Sequence, residues 1–200
     1  VLGGAPALVA AVQRFARCTV ESAPAVEIHA PGLTDTVLRP GEPAPDGADP
    51  WRYAREVLRR CEHAAPGRYT LDTSDLSDID GKLGLGSSAA STAVFVGGLA
   101  AAAGRPIVAE AVFREAVDVH RYVQGSGSGA DVAASAHGGV FGYTIDGARA
   151  SVAWPASRPV RAVWSGQPAS TPALVAAVGS VPADIREPLL LRIAAASRAG

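Results

Sequence analysis

Lys82-Leu83-Gly84-Leu85-Gly86-Ser87-Ser88-Ala89-Ala90-Ser91 says more about this chain than any other run of its residues. Two glycines let the backbone turn tightly and come close to a ligand. Two hydroxyls follow, where a long apolar stretch begins. That stretch, from about Ser88 to Ala103, reads as a helix stopped by Gly104 with Pro106 beyond. The first N–H groups of a helix have no internal partner and lie at the positive end of its dipole, so a loop placed here is a ready anion site. Hydroxyls at that spot also suit the Mg²⁺ that accompanies a nucleotide. The run is not a Walker A loop, because no Gly-Lys-Ser/Thr follows, and it is not the dinucleotide fingerprint, because Ala89 stands where a third glycine would. An ordinary glycine-and-serine turn with Ser87 or Ser88 as N-cap accounts for the same residues.

A second glycine-rich run lies further along: Gln124-Gly125-Ser126-Gly127-Ser128-Gly129-Ala130-Asp131-Val132-Ala133-Ala134-Ser135. Alternating Gly and Ser reads as a flexible linker. A linker between domains should not run straight into an apolar segment with a single acid, however. Asp131 therefore reads either as a base or charge-positioning group, or as an N-cap carboxylate.

Around these runs, Arg17–Glu21, Val26–Ala30, Tyr69–Asp72, Val140–Thr144, Ala148–Ala153 and Val160–Trp164 have the pattern of strands. Pro31, Pro40, Pro43, Pro45 and Pro50, with Gly32, Gly41 and Gly47, make the stretch between the second strand and residue 50 hairpin and loop. Asp49-Pro50 reads as N-cap and first position of a helix that buries Trp51, Ala54, Val57, Leu58 and Cys61 on one face. Residues 109–123 form a helix with Val112, Phe113, Ala116, Val119 and Val123 inward. Thr171–Val178 and Pro182–Arg198 read as helices too. Strands and helices interleave without the beat of a parallel βαβ sheet, which points to an α+β fold. Pro155, Pro159 and Pro168 suggest a domain boundary near residue 158, dividing the chain into 1–158 and 159–200.

The chain has 200 residues, 48% hydrophobic and 18% charged, a globular mix. Its net charge of −1 gives no electrostatic footprint for nucleic acid or an anionic membrane. No apolar run reaches the ~18 residues of a membrane span. Cys18 and Cys61 lack any CxxC spacing and read as reduced thiols in a cytoplasm. His29, His63 and His137 show no metal-ligand spacing. Nothing in the sequence sets an oligomeric state. The chain contains no Met and opens at Val1-Leu2-Gly3-Gly4, which reads as a piece of a longer protein.

Taken together, Gly-Leu-Gly-Ser-Ser-Ala-Ala opening a helix and the later Gly-Ser-Gly-Ala-Asp-Val-Ala-Ala-Ser with Gly138-Gly139 beyond it resemble the superfamily of galactokinase, homoserine kinase, mevalonate kinase and phosphomevalonate kinase. Val1–Val12, the run from Gln124 to Ser135 and Val163–Thr171 are most similar to phosphomevalonate kinases. The resemblance implies that superfamily's two-domain fold, with an ATP-binding N-terminal domain over 1–158 and the start of a C-terminal domain over 159–200. It implies ATP and Mg²⁺ as cofactors. Lys82, Gly84, Leu85, Gly86, Ser87, Ser88, Ala89 and Ala90 would then surround the phosphates, with Ser88 reaching the metal.

Ser128, Gly129 and Ala130 would border the acceptor, 5-phosphomevalonate, and Asp131 would act as catalytic base or electrostatic orienter. Mevalonate kinases place a metal-holding glutamate where this chain has His120. An imidazole is a poor Mg²⁺ ligand, so His120 either does not touch the metal or acts by hydrogen bond, a departure that argues against mevalonate kinase proper. A helix histidine packed beneath the loop is the other reading. The family's N-terminal lysine strand and C-terminal glycine loop do not occur within these residues, and without them weak nucleotide binding and little catalysis are expected. Three readings stay open: a phosphomevalonate kinase, a mevalonate kinase or other alcohol kinase of the superfamily, and an inactive truncated chain with the same fold.

Overall fold

The computed structural model describes residues 5–33, 35–39, 42, 49–61, 64–78, 81–155, 157–159, 163, 165–166 and 171–199. The strand expected at Val160–Trp164, most of the Val163–Thr171 segment, Pro168 and His63 lie largely or wholly outside them. The chain begins with β1 (Ala7–Ala10), β2 (Arg17–Glu21), β3 (Val26–His29) and β4 (Thr36–Val37). Helix α1 (Arg52–Arg60) leads to β5 (Gly67–Asp72). A 3-10 turn at Ser74–Leu76 precedes the hairpin of β6 (Ser77–Asp78) and β7 (Gly81–Lys82). Three helices follow: α2 (Ser87–Ala102), α3 (Ala109–Gln124) and α4 (Ala130–His137). Strands β8 (Val140–Tyr143) and β9 (Arg149–Ser151) come next, then α5 (Thr171–Ser180) and α6 (Ala183–Ala199).

The strands form two main sheets. One has the order β2-β5-β3-β4, and its only parallel pair among the described residues is β3 with β5. That pair is a single βαβ crossover through α1, so the mixed α+β class holds. The second sheet, β1-β8-β9, is antiparallel and registers Ala7 against Tyr143 and Ala10 against Val140. β1 has no polar alternation to mark it, because its register depends on a strand far along the chain. Ser197 on α6 donates to the Pro6 carbonyl just before β1.

α1 starts two residues later than the Asp49-Pro50 signal suggests, with Trp51 at the N-cap. Asp49 still organises the entry: it is buried, and its carboxylate accepts from the Trp51 N–H at 2.9 Å and from Arg55 Nε at 3.0 Å. With the carboxylate engaged by the Trp51 N–H and the Arg55 side chain, the helix starts two residues later.

α2 is the axis of the core. Ala89, Thr92, Ala93, Phe95, Val96 and Leu99 are all buried, on more than one face, as befits a helix without a polar side. It packs against α1, α3, α4, β2 and β5. Tyr69 on β5 meets Phe95 edge-on, with centroids 5.4 Å apart. Gly98 lets β2 close on α2, since a Cβ there would lie 2.5 Å from Cys18 Sγ. Burial pushes the Cys18 thiol up to about 11, which makes it a packing group rather than a nucleophile. Gly98→Ala is expected to cost about 1–3 kcal/mol in urea unfolding, and Cys18→Ala in the same chain should recover most of that loss.

Candidate functional site

The first glycine loop bridges β7 and α2 through two left-handed residues, Gly84 (φ 74°) and Gly86 (φ 73°). Gly86 is itself the N-cap, with no side-chain cap. Ser87 and Ser88 are therefore the first helical residues, not caps, and their hydroxyls are free for other work. The first intrahelical bond joins the Ala90 N–H to the Gly86 carbonyl at 2.9 Å. The N–H groups of Ser87, Ser88 and Ala89 thus precede the helical ladder and carry its positive end.

Beneath the loop lies His120, on α3 and 3% exposed. Its Nε2 is 3.2 Å from Ser88 Oγ, and its ring stacks on Tyr53 of α1 with centroids 5.1 Å apart. Burial lowers the imidazole pKa, and the Asp131 charge partly offsets this, so the ring is neutral at neutral pH. With its proton on Nδ1, the ring accepts from the Ser88 hydroxyl and leaves the hydroxyl's lone pairs open. With the proton on Nε2, the ring donates and the hydroxyl points its own hydrogen elsewhere. Either tautomer fixes the rotamer of Ser88. Both expectations for His120 are thus met at once: it packs under the loop and acts through a hydrogen bond.

The second glycine run is no linker. Arg121 of α3 donates to the Ser128 carbonyl at 2.7 Å and to the Ile145 carbonyl at 2.8 Å. Tyr143 Oη donates to the same Ser128 carbonyl at 2.7 Å. Gly129 (φ 82°) is the N-cap of α4, and a Cβ on it would lie 2.4 Å from Val117 Cγ2. Only glycine fits there. Asp131 is consequently not the cap: it sits in the first turn, and its Oδ1 accepts the Val132 N–H at 3.0 Å. A Cβ built on Gly86 would lie 3.2 Å from Asp131 Cβ and 3.7 Å from Oδ2. The missing side chain at Gly86 is what lets the two loops meet.

Two cavities flank this meeting point. One, of about 290 Å³, is lined by Lys82, Ser87, Ser88 and Ser91 together with Arg52 and Tyr53. The other, of about 360 Å³, is lined by Leu85, Ala90, Ala130, Asp131 and Ser135 among others. The expected phosphate-loop residues thus divide. Lys82, Ser87 and Ser88 face one chamber, Leu85 and Ala90 the other, and Gly84 and Gly86 shape the turn. Ala89 is fully buried below it. Of the expected acceptor residues, Ala130 lines the Asp131 cavity, whereas Ser128 and Gly129 build the wall behind it. Arg52 was not legible as a site residue, since nothing in spacing distinguishes it among 17 arginines.

The donor set fits a nucleotide better than a protein-held metal. Among the described residues no group of three His, Cys, Asp or Glu side chains could hold a metal ion. Mg²⁺ takes oxygen ligands and commonly arrives with phosphates and water. The Ser88 hydroxyl, on the lining of the first cavity, is an oxygen of the kind that suits such a phosphate-borne ion.

Two helix starts, one with N–H groups outside the helical ladder and one with an acid in its first turn, thus meet within an α+β fold. Residues 52–139 match the family model for the GHMP kinases N-terminal domain. That match covers less than half of the chain and supports a likeness to the GHMP kinase superfamily. A search of curated protein sequences finds no match. Among solved structures, a Lin0012 protein from Listeria innocua superposes with TM-score 0.70 at 22% identity, over 88% of this chain and 58% of that one. Streptococcus pneumoniae phosphomevalonate kinase, in complex with phosphomevalonate and AMPPNP, gives 0.58 at 20% identity over 70% of this chain and 43% of that one. Methanococcus jannaschii mevalonate kinase gives 0.68 at 12% over 96% and 64%. The chain therefore spans under two thirds of the length of these relatives, and the likeness is one of fold.

Ser88→Ala is expected to weaken MgATP binding five- to thirty-fold, the loss of one charge-assisted hydrogen bond of about 1–2 kcal/mol. His120→Asn should weaken it by less. Added to Ser88→Ala it should weaken it no further, a non-additivity that calorimetric titration of the double variant reads directly.

Proposed function

We propose that the protein is an ATP-dependent phosphotransferase that moves the γ-phosphoryl group of ATP to 5-phosphomevalonate, giving 5-diphosphomevalonate and ADP in isoprenoid synthesis in the cytoplasm. The carrying observation is the approach of Gly86 to Asp131, with one cavity lined by Ser87 and Ser88 and another lined by Asp131. Triphosphate on the Ser87–Ala89 N–H groups would bring its terminal phosphorus to the chamber that holds the acid. The match to the GHMP kinases N-terminal domain supports the reaction type, and the motif similarity supports the acceptor. In this reading residues 1–158 are the nucleotide domain and 159–200 begin the second. No helix among the described residues is long and apolar enough to cross a membrane, and the near-neutral charge favours a small-molecule partner over nucleic acid.

Phosphoryl transfer is mainly positioning and charge neutralisation. When bound, Mg²⁺ would be held in part by the Ser88 hydroxyl and would supply neutralisation of the phosphate charge. The chain's own groups do the rest. Free N–H groups at the start of α2 bind the phosphates, Ser88 is oriented by His120, and Arg52 and Lys82 add positive charge to the nucleotide chamber. An acceptor phosphate oxygen attacks the γ-phosphorus, the bond to the β-phosphate oxygen breaks, and ADP leaves. The acceptor's second pKa is near 6, so its oxygen is already anionic at neutral pH. Asp131 then orients the acceptor rather than removing a proton.

An alcohol kinase of the superfamily is the second reading, since the likeness in fold extends to a mevalonate kinase as well. There Asp131 would have to take the hydroxyl proton. ADP release by the full-length protein with mevalonate 5-phosphate and with mevalonate separates the two readings, and turnover of the phosphate alone is expected. Asp131→Asn should then lower kcat by roughly ten- to a hundredfold, less than the 10²–10⁴-fold typical of a lost general base. The rate should follow substrate ionisation alone on the acid side. A near-complete loss at every pH would contradict the orienting role.

A further inference from the structure

The cavity beside Asp131 carries one cation. Arg14, on the segment between β1 and β2, lines it together with Leu8, Val12 and Leu76. Among the described residues lining this cavity, Arg14 is the only basic one. It is held in place from outside: its NH1 donates to Asp75 Oδ1 at 3.0 Å, while Asp75 Oδ2 accepts the Phe15 N–H at 2.8 Å. The Phe15 N–H and then Arg14 keep the Asp75 carboxyl below the usual aspartate range, so the brace is ionised at neutral pH. A guanidinium has five N–H donors in a planar fork. The contact with Asp75 occupies NH1, and the side chain remains half exposed at 53%. The other donors are available to a ligand in the cavity.

The same cavity holds Asp131, whose negative charge opposes an anionic acceptor. An acid entering it needs a positive counterpart away from the reacting end. The rest of the lining is apolar or small, with Leu8, Val9, Ala10, Leu76 and Ala134 among it, which suits a short branched hydrocarbon segment. We propose that Arg14 is the carboxylate anchor of this chamber: it binds the non-reacting carboxylate of a short-chain acid by paired N–H···O bonds and sets the acid's other end toward Asp131. Asp75 acts as a positioning residue by bracing Arg14. The assignment rests on the acceptor reading above and deepens it to a residue that selects carboxylic acids.

Equilibrium binding to the full-length protein tests this without requiring turnover. Mevalonate 5-phosphate, its methyl ester and ATP are titrated calorimetrically into the wild-type protein, Arg14→Gln and Arg14→Lys, with thermal unfolding as a check on folding. Arg14→Gln should weaken mevalonate 5-phosphate binding roughly ten- to a hundredfold, the range for a hydrogen-bonded charge. Arg14→Lys should recover part of that loss, since it restores charge without the planar fork. The ester should bind the wild-type protein more weakly and be insensitive to Arg14→Gln. ATP affinity should be unchanged in both variants. Equal binding of the acid to wild type and Arg14→Gln would overturn the anchor alone. Failure of the acid to bind a wild-type protein that binds ATP would overturn both the acceptor reading and the anchor built on it.

Discussion

Two helices start side by side in this fold, and the distance between their starts governs the site. α2 and α4 are each entered through a glycine in the left-handed conformation, and the first turn of α4 brings Asp131 against the bare Cα of Gly86. A side chain at Gly86 would push the acid away, and a side chain at Gly129 would collide with Val117 before α4 could begin. A positive φ favours glycine at both positions; at Gly129 there is also no room for a Cβ, whereas at Gly86 a Cβ would press tightly on Asp131.

That approach is held from several sides. α2 is buried around its circumference, so its start cannot slide without disturbing the packing of Phe95, Leu99 and Tyr69. The loop before α4 is tied by Arg121 and Tyr143, which converge on one carbonyl. His120, packed on Tyr53, joins α1 and α3 to the Ser88 hydroxyl. The free N–H groups, the oriented hydroxyl and the acid therefore exist before any ligand arrives. Pre-set dipoles of this kind are what phosphoryl transfer demands of a protein.

Much of this was legible in the sequence, for identifiable reasons. The α2 and α3 helices declared themselves because local apolar spacing and a terminal glycine suffice to mark them, and each came within a residue or so of its observed bounds. The Gly-Ser runs marked both loops. What sequence did not carry were relations across distance. β1 is defined by its pairing with β8, so a short run of small apolar residues gave no strand signal of its own. Asp49 offered the right cap chemistry but bonded the Trp51 N–H and the Arg55 side chain, and the helix starts two residues later. Ser87, Ser88 and Asp131 looked like caps, yet in both helices a glycine took that place. His120 was singled out only through the resemblance, as the residue where mevalonate kinases have a glutamate, and only packing could join it to Ser88. Arg14 and Arg52 had no distinguishing spacing at all, because their meaning comes from the cavities that they line.

The central claim is that the start of α2 is where nucleotide phosphates bind, next to the acid of α4. Amide hydrogen exchange, followed by mass spectrometry with and without MgATP, tests it most directly. The account predicts that MgATP slows exchange at Leu85–Ala90, with a smaller effect at Ala130–Val132, and leaves β9 and α6 unchanged. Nucleotide binding that protects other segments and leaves Leu85–Ala90 untouched would contradict it.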